Sequence, residues 1–371
     1  MEAVRVETLR LFNFRNYADQ EVSFAPGVNI LWGDNAQGKT NLLEAVFYFG
    51  GGKSYRAHRD AELIRFGQAE GLAAARVWSG GRTQALEARF FAQGRRGLYA
   101  NGVKLSSPRD MVGRLPCVLF GPEELGLIRE GAAARRRFMD LALCQLRPRY
   151  LSLLAEYNRL HAHKTRVLRD GRMGNPLAGT LPDFNRRLAQ TGGALTVFRA
   201  AFIARVAAAA AGLHADVTEG RERLALSYRC KPVWSEGRGE AEQAEALYES
   251  LCAHETAEWA AGRCLVGPHK DDAEALLDGV SARDFGSQGQ ARTAALAMKL
   301  AERQVFTEEF GAYPVLLLDD VLSELDPGRQ DYVLHKIEDG QVLITCCEPA
   351  RMTTLKGGRA VHIVGGRAEV N

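Results

Sequence analysis

Gly33-Asp34-Asn35-Ala36-Gln37-Gly38-Lys39-Thr40 is the stretch that decides how this chain folds. Its spacing, Gly-x4-Gly-Lys-Thr, is that of a phosphate-binding loop. Gly33 and Gly38 let backbone N–H groups curl around phosphates. Lys39 is placed to neutralise the β- and γ-phosphates, and Thr40 to offer its hydroxyl to Mg²⁺. Residues 28–32 read as a short strand and 41–49 as a helix, so the loop has the strand-to-helix context it requires. The plainer reading is a glycine turn ahead of a helix. The chain is expected to bind ATP and Mg²⁺ through Gly33, Asp34, Asn35, Ala36, Gln37, Gly38, Lys39 and Thr40.

Outward from the loop, the chain has 371 residues, enough for two or three domains. Apolar residues make up 46% and charged residues 25%, a globular composition that argues against disorder. The net charge of +3 permits a nucleic-acid partner only if the charge is clustered. No apolar run approaches the roughly 18 to 20 residues that cross a bilayer, and the N-terminus lacks a signal-peptide pattern. Seven scattered cysteines with no Cys-x-x-Cys pair read as reduced thiols, so a cytoplasmic protein is expected. The adjacent Cys346 and Cys347 are expected to be small buried residues on a strand rather than a metal or redox pair.

Residues 4–11 and 21–24 are further strand candidates, with Pro26-Gly27 as a turn before 28–32. Strands are expected at 72–78, 82–91 and 115–120, with Asn101-Gly102 as a hairpin turn. Pro122-Glu123-Glu124 opens a helix with acids in its first turn. From about 132 to 254 helices dominate, at 133–146, 148–169, 183–215 and 241–260, with a Gly- and Pro-rich turn at 170–176. Residues 221–228 read as a strand returning toward the first domain. A helix at 287–309, a buried strand at 314–318, a helix at 327–337 and a buried strand at 341–345 follow. The pattern is α/β: residues 1–130 and 264–371 as two halves of one P-loop ATPase lobe, with 131–263 an inserted helical arm lobe.

Val315-Leu316-Leu317-Leu318-Asp319-Asp320 is an apolar strand ending in two carboxylates. Asp319 is positioned to hold Mg²⁺ and Asp320 to orient a water as base. Ser323-Glu324-Leu325-Asp326 suits subunit contact, while Asp326-Pro327 also starts a helix as N-cap and first residue. Asp284-Phe285-Gly286-Ser287-Gln288-Gly289-Gln290 precedes another helix. Two readings stand there: Ser287 as a simple helix cap, or Ser287, Gly289 and the helix N-terminus as binders of a γ-phosphate.

Together these residues resemble the ABC-type ATPases of the SMC-like group, and along the chain the RecF family of bacterial recombination mediators. The motifs that carry the resemblance are Phe14-Arg15-Asn16-Tyr17, Gly38-Lys39-Thr40-Asn41-Leu42-Leu43-Glu44-Ala45, Lys53-Ser54-Tyr55-Arg56 and Arg135-Arg136-Arg137-Phe138-Met139-Asp140. Val266-Gly267-Pro268-His269-Lys270-Asp271-Asp272, Ser287-Gln288-Gly289-Gln290 and Leu318-Asp319-Asp320 complete the set. The resemblance implies that Ser287, Gly289 and Gln290 of one copy close over ATP on the loop of another. It implies an ATP-driven homodimer on DNA at single-strand gaps or junctions, with weak DNA-stimulated ATPase activity as a switch. It also implies recombinational repair, replication restart and the SOS response, acting with RecO and RecR to load RecA.

Two features depart from the wider ABC pattern. Asp320 stands where transporters carry Glu, and its shorter side chain suits slow turnover. No His follows 342–345, where a phosphate sensor often lies; Thr345 or Cys346 occupies the region.

The stretch 129–172 is strongly basic, holding Arg129, Arg135, Arg136, Arg137, Arg147, Arg149, Arg159, Lys164, Arg166, Arg169 and Arg172. Arg159, His163 and Arg166 share a helix face, as phosphate neutralisation would need. A solvated helix surface explains the same charges, and the family resemblance favours DNA. Tyr150 and Tyr157 read as core. The alternatives are an ABC transporter subunit, an SMC relative with long heptad arms, and a non-hydrolysing ATP-gated DNA clamp.

Overall fold

A computed structural model describes residues 2–170, 181–348 and 358–370. In chain order it opens with β1 (Glu2–Ala3), β2 (Arg5–Phe14), β3 (Tyr17–Ser23), β4 (Val28–Trp32) and α1 (Lys39–Gly51). Next come β5 (Glu70–Ser79), β6 (Arg82–Phe91), β7 (Gly97–Ala100), β8 (Val103–Lys104), β9 (Cys117–Phe120) and the short α2 (Pro122–Leu125). The helical stretch holds α3 (Ala132–Leu146), α4 (Pro148–Asp170), α5 (Leu181–Thr218), β10 (Leu224–Arg229), α6 (Glu240–Ala253) and α7 (Glu255–Ala261). Then follow β11 (Asp272–Leu277), β12 (Val280–Ser281) and α8 (Gln288–Phe310). The chain closes with β13 (Ala312–Tyr313), β14 (Val315–Asp319), α9 (Pro327–Lys336), β15 (Val342–Cys346), β16 (Arg359–Val364) and β17 (Arg367–Val370). Two compact units result: Met1–Gly126 with Lys299–Asn371, and Leu127–Met298. Residues 264–298, expected with the C-terminal half of the ATPase lobe, therefore group with the helical unit.

In the first unit, one six-stranded sheet has the order β17-β16-β4-β15-β14-β9. Its strands are parallel apart from β17. Strands buried on both faces read as continuous apolar runs, and Val315–Asp319, Cys117–Phe120 and Val342–Cys346 are buried at every position. The second six-stranded sheet, β3-β2-β5-β6-β7-β8, is antiparallel. There the burial alternates, as a half-buried sheet requires. Asn101 and Gly102, both at positive φ, turn β7 into β8.

In the second unit, α5 runs 38 residues against α4 and α6. Gly193 makes that approach close: a Cβ there would meet the Ala244 backbone nitrogen at 2.6 Å. By length and composition alone α5 could cross a bilayer, which the sequence reading did not anticipate. Its Arg199 is instead buried, 2.8 Å from Asp140 and 3.5 Å from Asp271, and donates to the Pro268 carbonyl at 2.7 Å. Strand β10 pairs antiparallel with β11 inside the second unit. The helix expected at 241–260 is broken at His254, which ends α6 and precedes α7. The turn expected at 170–176 lies, beyond Asp170, outside the described residues.

Tyr157 on α4 donates to His269 Nδ1 at 2.8 Å, while Nε2 faces the Cys264 carbonyl at 3.4 Å. The His161 ring lies 4.1 Å from that of His269. Burial, then the neighbouring His161, lowers the His269 pKa to about 3. In the unfolded chain a histidine titrates near about 6.5. Between these values the unfolded chain binds a proton that the native one refuses. The stability contribution is therefore complete above the unfolded pKa and is lost as pH falls toward 3. The urea midpoint of the protein is expected to fall more steeply between pH 7 and pH 5 than that of His269→Gln; parallel slopes would refute it.

Candidate functional site

Strand β4 delivers the chain into the Gly33–Thr40 loop, and α1 begins at Lys39 with Gly38 as its N-cap at φ 119. Only glycine adopts that conformation freely, and a Cβ on Gly38 would also meet Asn16 at 2.7 Å and the Tyr17 hydroxyl at 2.9 Å. No side chain caps α1 and no acid occupies its first turn. The positive end of the helix thus faces the loop with no acid of its own first turn competing, as an anion site needs.

The loop is braced from outside. Asn16 donates to the Gln37 carbonyl at 2.8 Å, and Tyr17 to the Gly38 carbonyl at 3.0 Å. The β16–β17 turn adds the Gly366 N–H to the Gln37 carbonyl at 3.1 Å and the Gly365 N–H to Gln37 Oε1 at 2.6 Å. Lys39 is buried and donates to the carbonyls of Gly33 at 2.5 Å and Asp34 at 3.0 Å.

Thr40 donates to Asp319 Oδ1 at 2.8 Å. Thr345 donates to the same oxygen at 2.9 Å, and Tyr55 to Oδ2 at 3.3 Å. Asp319 ends β14 and Thr345 is its partner in β15, so the sheet register sets the contact. A hydroxyl and a carboxylate at this separation are the hard oxygen donors that Mg²⁺ takes. The residues present therefore fit a magnesium-bound triphosphate. Asp320 follows at φ 55, its N–H donating to Thr345 Oγ1 at 2.8 Å. Burial raises the Asp320 pKa and Asp319 adds to the rise, while Lys39 opposes it. The Thr345 hydroxyl is thereby engaged with both Asp319 and Asp320. Cys346 is buried on β15, but Cys347 is exposed rather than buried, with its thiol 3.3 Å from Asn35 Oδ1. Among the described residues no cluster of metal-ligating side chains includes either.

Behind the loop, the fully buried Glu44 of α1 takes both arms of Arg15, at 2.9 and 2.7 Å, and the Ser54 hydroxyl at 2.5 Å. Arg56 donates to Asn41 at 3.0 Å, and Asn41 to Asn16 at 2.9 Å. Arg15, Asn16 and Tyr17, together with Ser54, Tyr55 and Arg56, therefore scaffold the loop and its carboxylate.

The Ser287 turn belongs to the second unit. Gln290 N–H donates to Ser287 Oγ at 3.2 Å, and Ser287 N–H to Gln290 Oε1 at 2.7 Å. This reciprocal pair caps α8. Gln290 also donates to Glu222 at 2.9 Å, and Gly289 supplies the carbonyl that Thr293 bonds at 2.8 Å. Capping of α8 is satisfied within this chain.

The basic stretch divides. Arg135 is buried in a fork with Asp272, at 2.7 and 2.9 Å. Lys164 is buried against Glu258, Arg136 bonds the Asp271 carbonyl, and Arg149 pairs with Glu240. Arg159, His163 and Arg166 are exposed on α4, with Arg166 3.6 Å from Asp170. Tyr150 and Tyr157 are core. Arg172 lies outside the described residues.

The profile of the RecF/RecN/SMC N terminal domain family matches residues 5–365. The DNA replication and repair protein RecF of Symbiobacterium thermophilum is 41% identical over 345 residues, covering 92% of this chain and 91% of that protein. The RecF protein of Agathobacter rectalis is 36% identical over 367 residues, 98% of this chain and 99% of that one. A solved structure of the recombination mediator protein RecF-ATP in the RecFOR pathway is 30% identical and superposes with a TM-score of 0.92, covering 100% of this chain and 98% of that chain. The Smc head domain of Pyrococcus furiosus bound to the C-terminal domain of ScpA shares the fold, at 15% identity and a TM-score of 0.56, over 99% of this chain and 96% of that one.

Proposed function

The chain belongs to the RecF family of DNA replication and repair proteins within the RecF/RecN/SMC group, and from that premise we propose that it is an ATP-gated, DNA-binding dimer of recombinational repair. The observation that carries the reading is the Thr40–Asp319 contact beside a braced, uncapped phosphate loop. Lys39 and the loop N–H groups hold the phosphates. Thr40 and Asp319 hold Mg²⁺, which when bound screens the charge between the terminal phosphates. Thr345 fixes Asp319, and Asp320 acts as the base that orients water. Its raised pKa makes it a better base, and its short side chain suits slow turnover. Ser287, Gly289 and Gln290 come from the second copy, so ATP joins two chains and hydrolysis parts them.

The dimer acts in the cytoplasm on gaps and junctions. With RecO and RecR it supports RecA loading, replication restart and the SOS response. Contacts are to the phosphate backbone, with little sequence preference. Sedimentation with ATP and gapped DNA tests the composite site. The unaltered protein is expected to dimerise, and Ser287→Arg to bind ATP yet stay monomeric. A Ser287→Arg dimer as stable as the original would overturn the assignment.

A further inference from the structure

In the first unit, residues 53–54 and 57–61 line one side of a trough of about 1110 Å³, and residues 91–92, 94–99 and 104–108 line the other. It exceeds the roughly 300–1,000 Å³ of a small-ligand site. Lys53, His58, Arg59, Arg95, Arg96 and Lys104 line it, against a single carboxylate, Asp60. That carboxylate is already used, 3.0 Å from Arg96, whose guanidinium also donates to the Tyr48 hydroxyl at 2.6 Å. Arg59 reaches Glu62 at 3.5 Å on the surface. Lys53, Arg95 and Lys104 are exposed and have no ion-pair partner among the described residues. A lysine on an edge strand also discourages unwanted pairing, which accounts for Lys104 on β8. It does not account for Lys53 and Arg95, which lie on loops.

We propose that this trough seats the phosphate backbone of DNA, with Lys53, Arg95 and Lys104 as the neutralising cations and Arg96 fixed at its floor. The proposal rests on the DNA-binding reading above and assigns contacts to residues of the first unit. A chain of evenly spaced phosphates matches several separated cations along an open trough better than one compact anion does. The segment that follows Lys53 in this wall also reaches the nucleotide site. Ser54 bonds Glu44, Tyr55 bonds Asp319 and Arg56 bonds Asn41. Backbone contact at Lys53 is therefore one to three residues from groups that hold the loop and the magnesium carboxylate.

The test is fluorescence titration of gapped duplex DNA with the full chain and ATP, over a series of salt concentrations. The variant Lys53→Gln/Arg95→Gln/Lys104→Gln alters only exposed side chains. It is expected to bind more weakly, with the slope of log K against log salt smaller by about 2.7, at about 0.9 per lost phosphate contact. DNA is also expected to protect Lys53 and Lys104 of the unaltered protein from an amine-reactive reagent. Equal affinity and slope in the two proteins would overturn the trough while leaving the DNA-binding reading intact. Failure of the unaltered protein to bind DNA would overturn both. Protection of the two lysines by a glutamate-rich peptide but not by DNA would assign the trough to an acidic protein and overturn the proposal.

Discussion

Lys39→Ala is expected to weaken ATP binding by about a hundredfold, the equivalent of losing one strong charge-assisted contact to the phosphates. The Lys39 ammonium is already buried and aimed at the loop, held by the Gly33 and Asp34 carbonyls. Little of its side-chain freedom remains to be lost when phosphate binds. Alanine removes the cation and leaves those carbonyls unpaired. The loop should nevertheless keep its course, because Asn16, Tyr17, Gly365 and Gly366 hold it independently of the lysine. Calorimetric titration with ATP gives the affinity, and sedimentation gives the dimer. The variant should lose both while its thermal midpoint moves little. ATP-dependent dimerisation at the original nucleotide concentration would show that the phosphates sit elsewhere.

What the sequence made legible was local or periodic. The loop announces itself because glycine, lysine and threonine act at fixed offsets between a strand and a helix. Strand β14 announces itself as an unbroken apolar run closed by acids. The family resemblance, carried by short motifs, agrees with relatives covering nearly the whole chain. Contacts set by register were not legible. Thr345 meets Asp319 because β14 and β15 pair in one register, and no pattern in the sequence states that pairing. The Arg15–Glu44–Ser54 cluster joins three segments, which only the folded chain brings together. Strand β10 was recognisable as a strand, but its partner β11 lies more than forty residues on. Charge counting failed for a related reason: Arg135 and Lys164 look like surface cations in a basic stretch and are buried.

Lys164 carries the largest stability prediction. It lies on α4 with Glu258 of α7, both fully buried, Nζ to Oε2 at 2.5 Å. The Leu265 N–H donates to the other carboxylate oxygen at 2.8 Å. Nearby Val167, Leu168, Leu181 and Cys264 form an apolar cluster with Trp259 packed against it. Glu258→Ala leaves the ammonium without its counter-ion in these surroundings, at a cost of about 3–5 kcal/mol. In a unit of this size that lowers the thermal midpoint by roughly 10 °C. The double change Lys164→Met/Glu258→Leu removes both charges and keeps the volume. It is expected to recover the ionic part of that loss, because the desolvation penalty disappears with the pair. A residual cost of about 1–3 kcal/mol should remain, from the Leu265 N–H that loses its acceptor. A double-mutant cycle by urea unfolding separates the two effects. If Glu258→Ala alone proves mild, water reaches the pair and the burial argument fails. If the double variant is as unstable as the single one, the pair contributes more than its own desolvation. In that case Lys164 and Glu258 would be net stabilisers of the α4–α7 packing, and the apolar cluster alone would not hold these helices together.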